Sequence, residues 1–321
     1  MRRRDFIALL GSAAAAWPLA ARGQQLNRVY RVAVLVPIPP NVFTPFFDEL
    51  RQHGFVEGQN LAIDRRGFDA RYDRFPVIAA ELVKAAPDVI MCGGDAAIRA
   101  AQAATATIPI VASTDDMVGS GLVRSLSRPG GNTTGVSLLA ADLDGKRQEV
   151  LIDFLPAAQR MAVLADSQTT DPRRLSALED DSRLRGVTLS IHAVERSDDI
   201  TPAITAAKAA GAEALNVLAS PLLHGNRHAI IVATTALRLP AIYQWVETAQ
   251  EGGLFAYGPH FSDFFRQWAR MLAKVLRGAR PEDLPVEQPT KFELIVNLKT
   301  ARAIGLEIAP TLLARADEVI E

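Results

Sequence analysis

Cysteine is almost missing from this 321-residue chain: Cys92 stands alone. No intrachain disulfide can form, and no cysteine cluster can hold a metal. Cys92 ends an apolar run and reads as a core thiol rather than a nucleophile. Aromatic residues amount to 6%, so a site needing several must draw on a small supply. An excess of one charge is missing as well. Lys and Arg number 35 against 36 Asp and Glu, a net charge of -1, which argues against a nucleic-acid surface. The five histidines are scattered. His224 and His228 would share one helix face, but no third ligand or orienting carboxylate accompanies them. Both read as surface residues, and no metal site is expected. Neither G-x-S-x-G nor H-E-x-x-H occurs. The turn at Gly93-Gly94-Asp95 lacks the dinucleotide spacing and the P-loop lysine, so no cofactor is expected.

What is present is a large apolar supply, 49% of residues, in a chain long enough for two lobes of ordinary domain size. Residues 1–25 read as an export signal. Arg2-Arg3-Arg4 is the positive start, 6–16 is apolar, and Ala21-Arg22-Gly23 offers small residues for cleavage. The apolar run is too short to span a bilayer stably. Arg3-Arg4-Asp5-Phe6-Ile7 is similar to a twin-arginine signal; an ordinary secretory signal with a chance arginine pair is the alternative. Either reading exports the mature protein, to a periplasm.

From Arg31 onward, short apolar runs alternate with helical spacing. Strands are expected at 31–37, 61–64, 88–92 and 108–112, with helices at 44–54, 75–85 and 96–105 between them. The rhythm restarts with helices at 145–154, 172–185, 200–210 and 226–237, and strands at 160–165, 189–194, 214–219, 241–243 and 254–257. This β-α alternation with short connections predicts α/β architecture: two doubly wound parallel-sheet lobes joined by a hinge. The expected lobe boundaries are 28–138 with 258–285 for the first lobe, and 139–257 with 286–321 for the second.

The stretch Ile108 to Ser137 is the organising segment: strand, acidic loop, a short helix expected over 119–126, a Pro129-Gly130-Gly131-Asn132 stop, then a second strand. Its pattern, IPIV followed by VGSGLV-SL-RPGGN-TGVS, resembles the substrate-binding proteins of a bacterial ABC transporter family. The likeness is to the tryptophan/tyrosine-type binding proteins, with a type I periplasmic-binding fold. Asp144-Gly145-Lys146-Arg147, Tyr257-Gly258-Pro259, the run from Asp283 to Leu294 and the ending from Leu312 to Val319 extend the resemblance over most of the chain. Members usually carry Asp-Pro in the acidic loop; here it is Asp115-Asp116. The resemblance also implies that the helix at 261–277 returns to the first lobe.

Candidate ligand-binding residues sit where strands end, because open α/β sheets bind ligands there. Gly94 and Asp95 open a helix whose free N–H groups attract a carboxylate, unless Asp95 merely caps that helix. Ser113, Thr114 and Asp115 offer hydroxyls and an acid that matches the family's retained acid. Ser137, Asp166 and Ser220 follow other strands. Tyr243, Trp245 and Tyr257, with Phe43 opposite, are expected to line an aromatic slot between the lobes.

The resemblance implies capture of a small solute, delivery to an ABC transporter permease, and no bond broken. The helix start and the aromatics point to a carboxylate-bearing solute, an amino acid or aromatic acid. Two alternatives stand beside this reading: an exported hydrolase using Asp115 and Asp116, and a periplasmic partner that presents its ligand to a receptor.

Overall fold

The computed structural model describes residues 28–38, 40–68 and 71–321; the proposed export signal at 1–25 lies outside them. Two sheets carry the fold. In the first, β1 (Tyr30–Leu35), β2 (Leu61–Arg66), β3 (Val89–Gly93), β4 (Ile110–Thr114) and β5 (Thr133–Ser137) lie in the order β2-β1-β3-β4-β5, all parallel. The second contains β6 (Arg160–Asp166), β7 (Thr188–Val194), β8 (Ala214–Val217), β9 (Ala241–Tyr243), β10 (Phe255–Gly258), β11 (Glu293–Asn297) and β12 (Glu318–Ile320), in the order β12-β11-β10-β9-β8-β6-β7. Read from β7 to β10, the second sheet repeats the strand order of the first. Its departure from an all-parallel sheet is β11, antiparallel to β10 because the chain has returned from the other sheet before adding it.

Strand alternation sends successive side chains to opposite faces, and the apolar runs fill both. In the first sheet, Ala33, Leu35, Ile90 and Cys92 pack beneath α2 (Phe75–Lys84) and α3 (Asp95–Ala104). Val32, Val34, Met91 and Val111 face the other way, towards α1 (Thr44–Gln52) and the long helix Phe261–Leu276. That helix buries Phe264, Phe265, Trp268 and Leu272 at i, i+1, i+4 and i+8, one continuous stripe. Trp268 also donates its indole N–H to the Val111 carbonyl at 3.3 Å. In the second sheet, α4 (Ala140–Phe154) and α5 (Pro172–Leu184) pack on one face, and α6 (Ser197–Ala209), α7 (Pro221–Gly225) and α8 (Arg227–Ala236) on the other. The remaining helices are α9 (Val246–Gln250), α10 (the Phe261–Leu276 helix), α11 (Leu298–Ile304) and α12 (Pro310–Leu313).

The chain crosses between the sheets after Ser137, after Gly258 and after Glu287. The last crossing comes slightly later than the expected 285/286: the Val286 N–H donates to Leu126 O, and Glu287 bridges Val136 beside β5. At the second crossing, a Cβ on Gly258 would sit 1.9 Å from Gln244 O, so only glycine fits.

The helix expected over 119–126 does not form. Residues 117–124 are turns and bends. Gly121 takes a positive φ of 67°, and the Leu122 and Val123 N–H groups both return to Met117 O. The Asp116 carboxylate satisfies the Val118 and Gly119 N–H groups at 3.1 and 2.8 Å, holding a tight turn where a helix would need those residues to run on.

Gly135 pairs with Ala112 across β4 and β5, and a Cβ there would lie 1.8 Å from the Ala112 carbonyl oxygen. Gly135→Ala should therefore cost about 3 kcal/mol, read as a lower urea midpoint at unchanged slope.

Candidate ligand-binding cleft

In a doubly wound sheet, neighbouring strands whose connections leave in opposite directions open a crevice at their carboxyl ends. The first sheet has that point between β1 and β3, the second between β6 and β8. The two sheets turn these ends towards one another and enclose a cleft of about 860 Å³. Such a volume lies within the range of small-molecule sites. Its lining comes from Pro37 and Ile38 after β1, Gly94 and Asp95 after β3, and Ser113 to Asp116 around the end of β4. Facing them are 168–171, Arg173 and Arg174 after β6, Ser220 and His224 after β8, and Gln244 and Trp245 after β9.

Gly94, Asp95, Ser113, Thr114, Asp115, Ser220 and Trp245, all expected at the site, line this cleft. Five others do not. Phe43 packs inside the first lobe, 4.8 Å from the Phe265 ring. Ser137 is buried and accepts the Met117 N–H on its hydroxyl, bolting down the acidic loop from behind. Asp166 is buried and accepts the Gln168 N–H at 2.9 Å, shaping the loop after β6 rather than facing the cavity. Tyr243 points into the core under α8, its hydroxyl on Thr234 Oγ1 at 3.2 Å, and burial pushes its phenol well above the ordinary range. Tyr257 packs on the opposite core of the same sheet. Tyr243 and Tyr257, near the ends of short strands, took the sheet faces, not the strand end.

The aromatic wall exists, but mostly from other residues. Trp245 meets Phe261 at 4.8 Å and Phe264 at 5.7 Å, and Phe264 stacks on Trp268. These come from the cleft-facing start of α10, whose apolar stripe was legible but whose approach to the cleft was not. His224, expected at the surface, joins them: its ring lies 4.5 Å from Phe261 and 6.1 Å from Trp245. Burial against these rings pushes the imidazole down to about 4, Arg227 and His228 adding to the shift and Glu251 opposing it.

The polar end is organised by charge. Asp144 is fully buried in α4 and holds both Arg147, also fully buried, and Arg174 of α5. Arg174 reaches across to Asp115 of the first sheet at 3.1 Å. Two acids and two bases thus balance only with the lobes together. Arg147 donates as well to Tyr257 O at 3.1 Å, and burial draws its guanidinium down to about 9, still cationic at neutral pH. Enclosure raises the Asp115 carboxyl; Arg174 opposes that and the nearby Asp95 adds to it. Asp115 and Asp116 do not form a catalytic pair: one is committed to Arg174 and the other to its own turn.

Helix starts supply the remaining polarity. The first N–H groups of α5, α7 and α10 are already capped, by Asp171, Ser220 and the Glu247 carboxylate respectively. The start of α3 is not. Its N-cap is Gly94, which has no side chain, and the Asp95 carboxylate takes the Thr114 hydroxyl instead of capping. Among the described residues no cluster of His, Cys, Asp or Glu could hold a metal ion, and no helix is long and apolar enough to cross a membrane.

A family model described as ABC transporter substrate binding protein matches residues 33–320. The chain belongs to that family. The binding protein is 24% identical over 265 residues to a tyrosine-binding protein of Clostridioides difficile strain R20291, an alignment covering 82% of this chain and 76% of that one. Its fold is similar to the ABC domain in complex with L-Trp from Streptococcus pneumoniae (TM-score 0.80, 21% identity, 91% of this chain and 100% of that one). It is similar too to a conserved domain protein of Vibrio cholerae (TM-score 0.82, 25% identity, 91% and 100%). The family binds small solutes for ABC transporters and is not an enzyme family, so the hydrolase alternative falls.

Asp144→Asn in this binding protein should destabilise the fold by about 3–5 kcal/mol, because two buried guanidinium groups lose their counter-charge; chemical denaturation measures it. His224 gives a pH signature. Its folded value of about 4 lies below the ordinary 6.5, so the unfolded chain binds the extra proton between those values. Stability should therefore fall as pH drops from about 6.5 to 4, by roughly 2 kcal/mol once solvent reaching the partly buried ring is allowed for. His224→Phe should flatten that slope in melting curves taken across the range.

Proposed function

We propose that the protein captures an aromatic amino acid or a related aromatic acid in the periplasm and delivers it to an ABC transporter permease. One observation carries this reading: the uncapped start of α3 lies beside the Asp95 carboxylate in a cleft whose other wall is aromatic. Free N–H groups and the helix dipole suit a carboxylate. Asp95 suits the adjacent ammonium, and Trp245, Phe261 and Phe264 suit a flat apolar side chain. The tyrosine-binding and L-Trp-bound relatives support the same class.

In this reading residues 28–138 and 259–287 form one lobe, and 139–258 and 288–321 the other. They close by a hinge at the crossings, and ligand binding favours the closed state. The Arg174–Asp115 pair is the contact that closure makes and opening breaks. Residues 1–25 direct export, and the outer faces of the closed lobes dock the permease.

A thermal-shift series on the mature protein tests the ligand class. L-Tyrosine, L-tryptophan or L-phenylalanine at a hundred times its dissociation constant should stabilise the fold by about 2.7 kcal/mol. Sugars and peptides should not. A shift with sugars alone would overturn the reading. Asp95→Asn then separates amino acid from aromatic acid. It should weaken L-tyrosine binding about tenfold, the loss of one charge-assisted contact, and leave the des-amino analogue unaffected in isothermal titration calorimetry.

A further inference from the structure

His224 lines the cleft, and the ligand-class argument does not use its chemistry. It sits in α7, directly after the Ser220 cap, and its ring is held by Phe261 at 4.5 Å and by Trp245. Its backbone is satisfied: the N–H donates to Ser220 O, and the carbonyl accepts from Arg227 Nη1 at 3.3 Å. Its ring nitrogens bond to no described residue. Contrast its neighbours. His228 pairs with Glu251, and the Tyr243 hydroxyl is tied to Thr234. A neutral imidazole carries one donor and one acceptor, and neither His224 ring nitrogen is among the sealed, unpartnered polar atoms. Here the ring is fixed edge and face by apolar neighbours, with its open polar atoms beside the wall that receives a flat side chain.

We propose that His224 is a specificity-determining residue. Its imidazole hydrogen-bonds an O–H or N–H on the ligand's aromatic ring, and so selects a phenol or indole over an unsubstituted phenyl. This rests on the aromatic amino acid reading and adds a prediction that reading does not make. A wall of Trp245 and Phe261 alone would not favour L-tyrosine over L-phenylalanine, because a plain apolar pocket gains nothing from a hydroxyl. A site built to bond the hydroxyl discriminates strongly against the analogue that lacks it, since its own polar group is then left unpaired.

Isothermal titration calorimetry of the mature protein with L-tyrosine, L-tryptophan and L-phenylalanine, on wild type, His224→Phe and His224→Gln, decides the matter. Wild type should bind L-tyrosine or L-tryptophan at least tenfold tighter than L-phenylalanine. His224→Phe keeps the ring packing and should bring the ratio to within about threefold, with L-phenylalanine affinity nearly unchanged. His224→Gln should restore part of the discrimination, which a purely packing role for the imidazole would not do. A ratio that survives His224→Phe, or a wild type that does not discriminate, overturns the proposal while leaving the amino acid reading intact. No binding of any of the three overturns both. Melting curves at pH 7 confirm that each variant is folded before its affinities are compared.

Discussion

A buried carboxylate sets the geometry of this protein. Asp144 is wholly removed from water, and an isolated charge in that position would be costly. It is balanced by Arg147 from its own helix and Arg174 from the next, so α4 and α5 are held at one fixed offset. The Asp144 carbonyl also accepts from Asn216 in β8, tying that helix pair to the sheet. The second arginine leaves one positive charge over, and its counter-charge is Asp115 at the end of β4. Packing within one lobe thereby dictates where it touches the other.

The cleft then divides by chemistry. Several helices aim their starts at it, a direct consequence of strands running into helices at their carboxyl ends. Every such start carries unpaired N–H groups. Asp171, Ser220 and Glu247 quench three of them, whereas the start of α3, with Gly94 as its N-cap, carries no side-chain cap. Positive dipole and the Asp95 carboxylate meet at one end, and rings from α10 and the loop after β9 meet at the other. Few aromatics are needed for such a wall, because α10 delivers Phe261, Phe264 and Trp268 from a single stripe.

Much of this was legible. The alternation of apolar runs and helical spacing located β1 to β10 and the main helices to within a few residues, since buried parallel strands and amphipathic helices differ in period, but β11 and β12 were not expected. Gly94, Asp95 and Asp115 were legible because strand ends are where such folds bind. Tyr243 and Tyr257 misled because a short strand can turn its last ring to either face of the sheet, and only packing against Thr234 and α4 decides which. His224 gave no signal: four residues from His228, it looked like one of a surface pair until the chain brought Phe261 and Trp245 over it.

By itself, then, the sequence determined the two-lobed α/β class, the family and the strand ends from which a site must be drawn, because these depend on local periodicity and on motifs contiguous in the chain. Tertiary structure alone decided which residues share the cleft and in what state. Arg174 and Asp115 are 59 positions apart, and His224 and Phe261 are likewise distant in the chain. Such partners meet only through the order in which parallel strands are laid side by side, and that order sums many weak packing terms that no single segment carries.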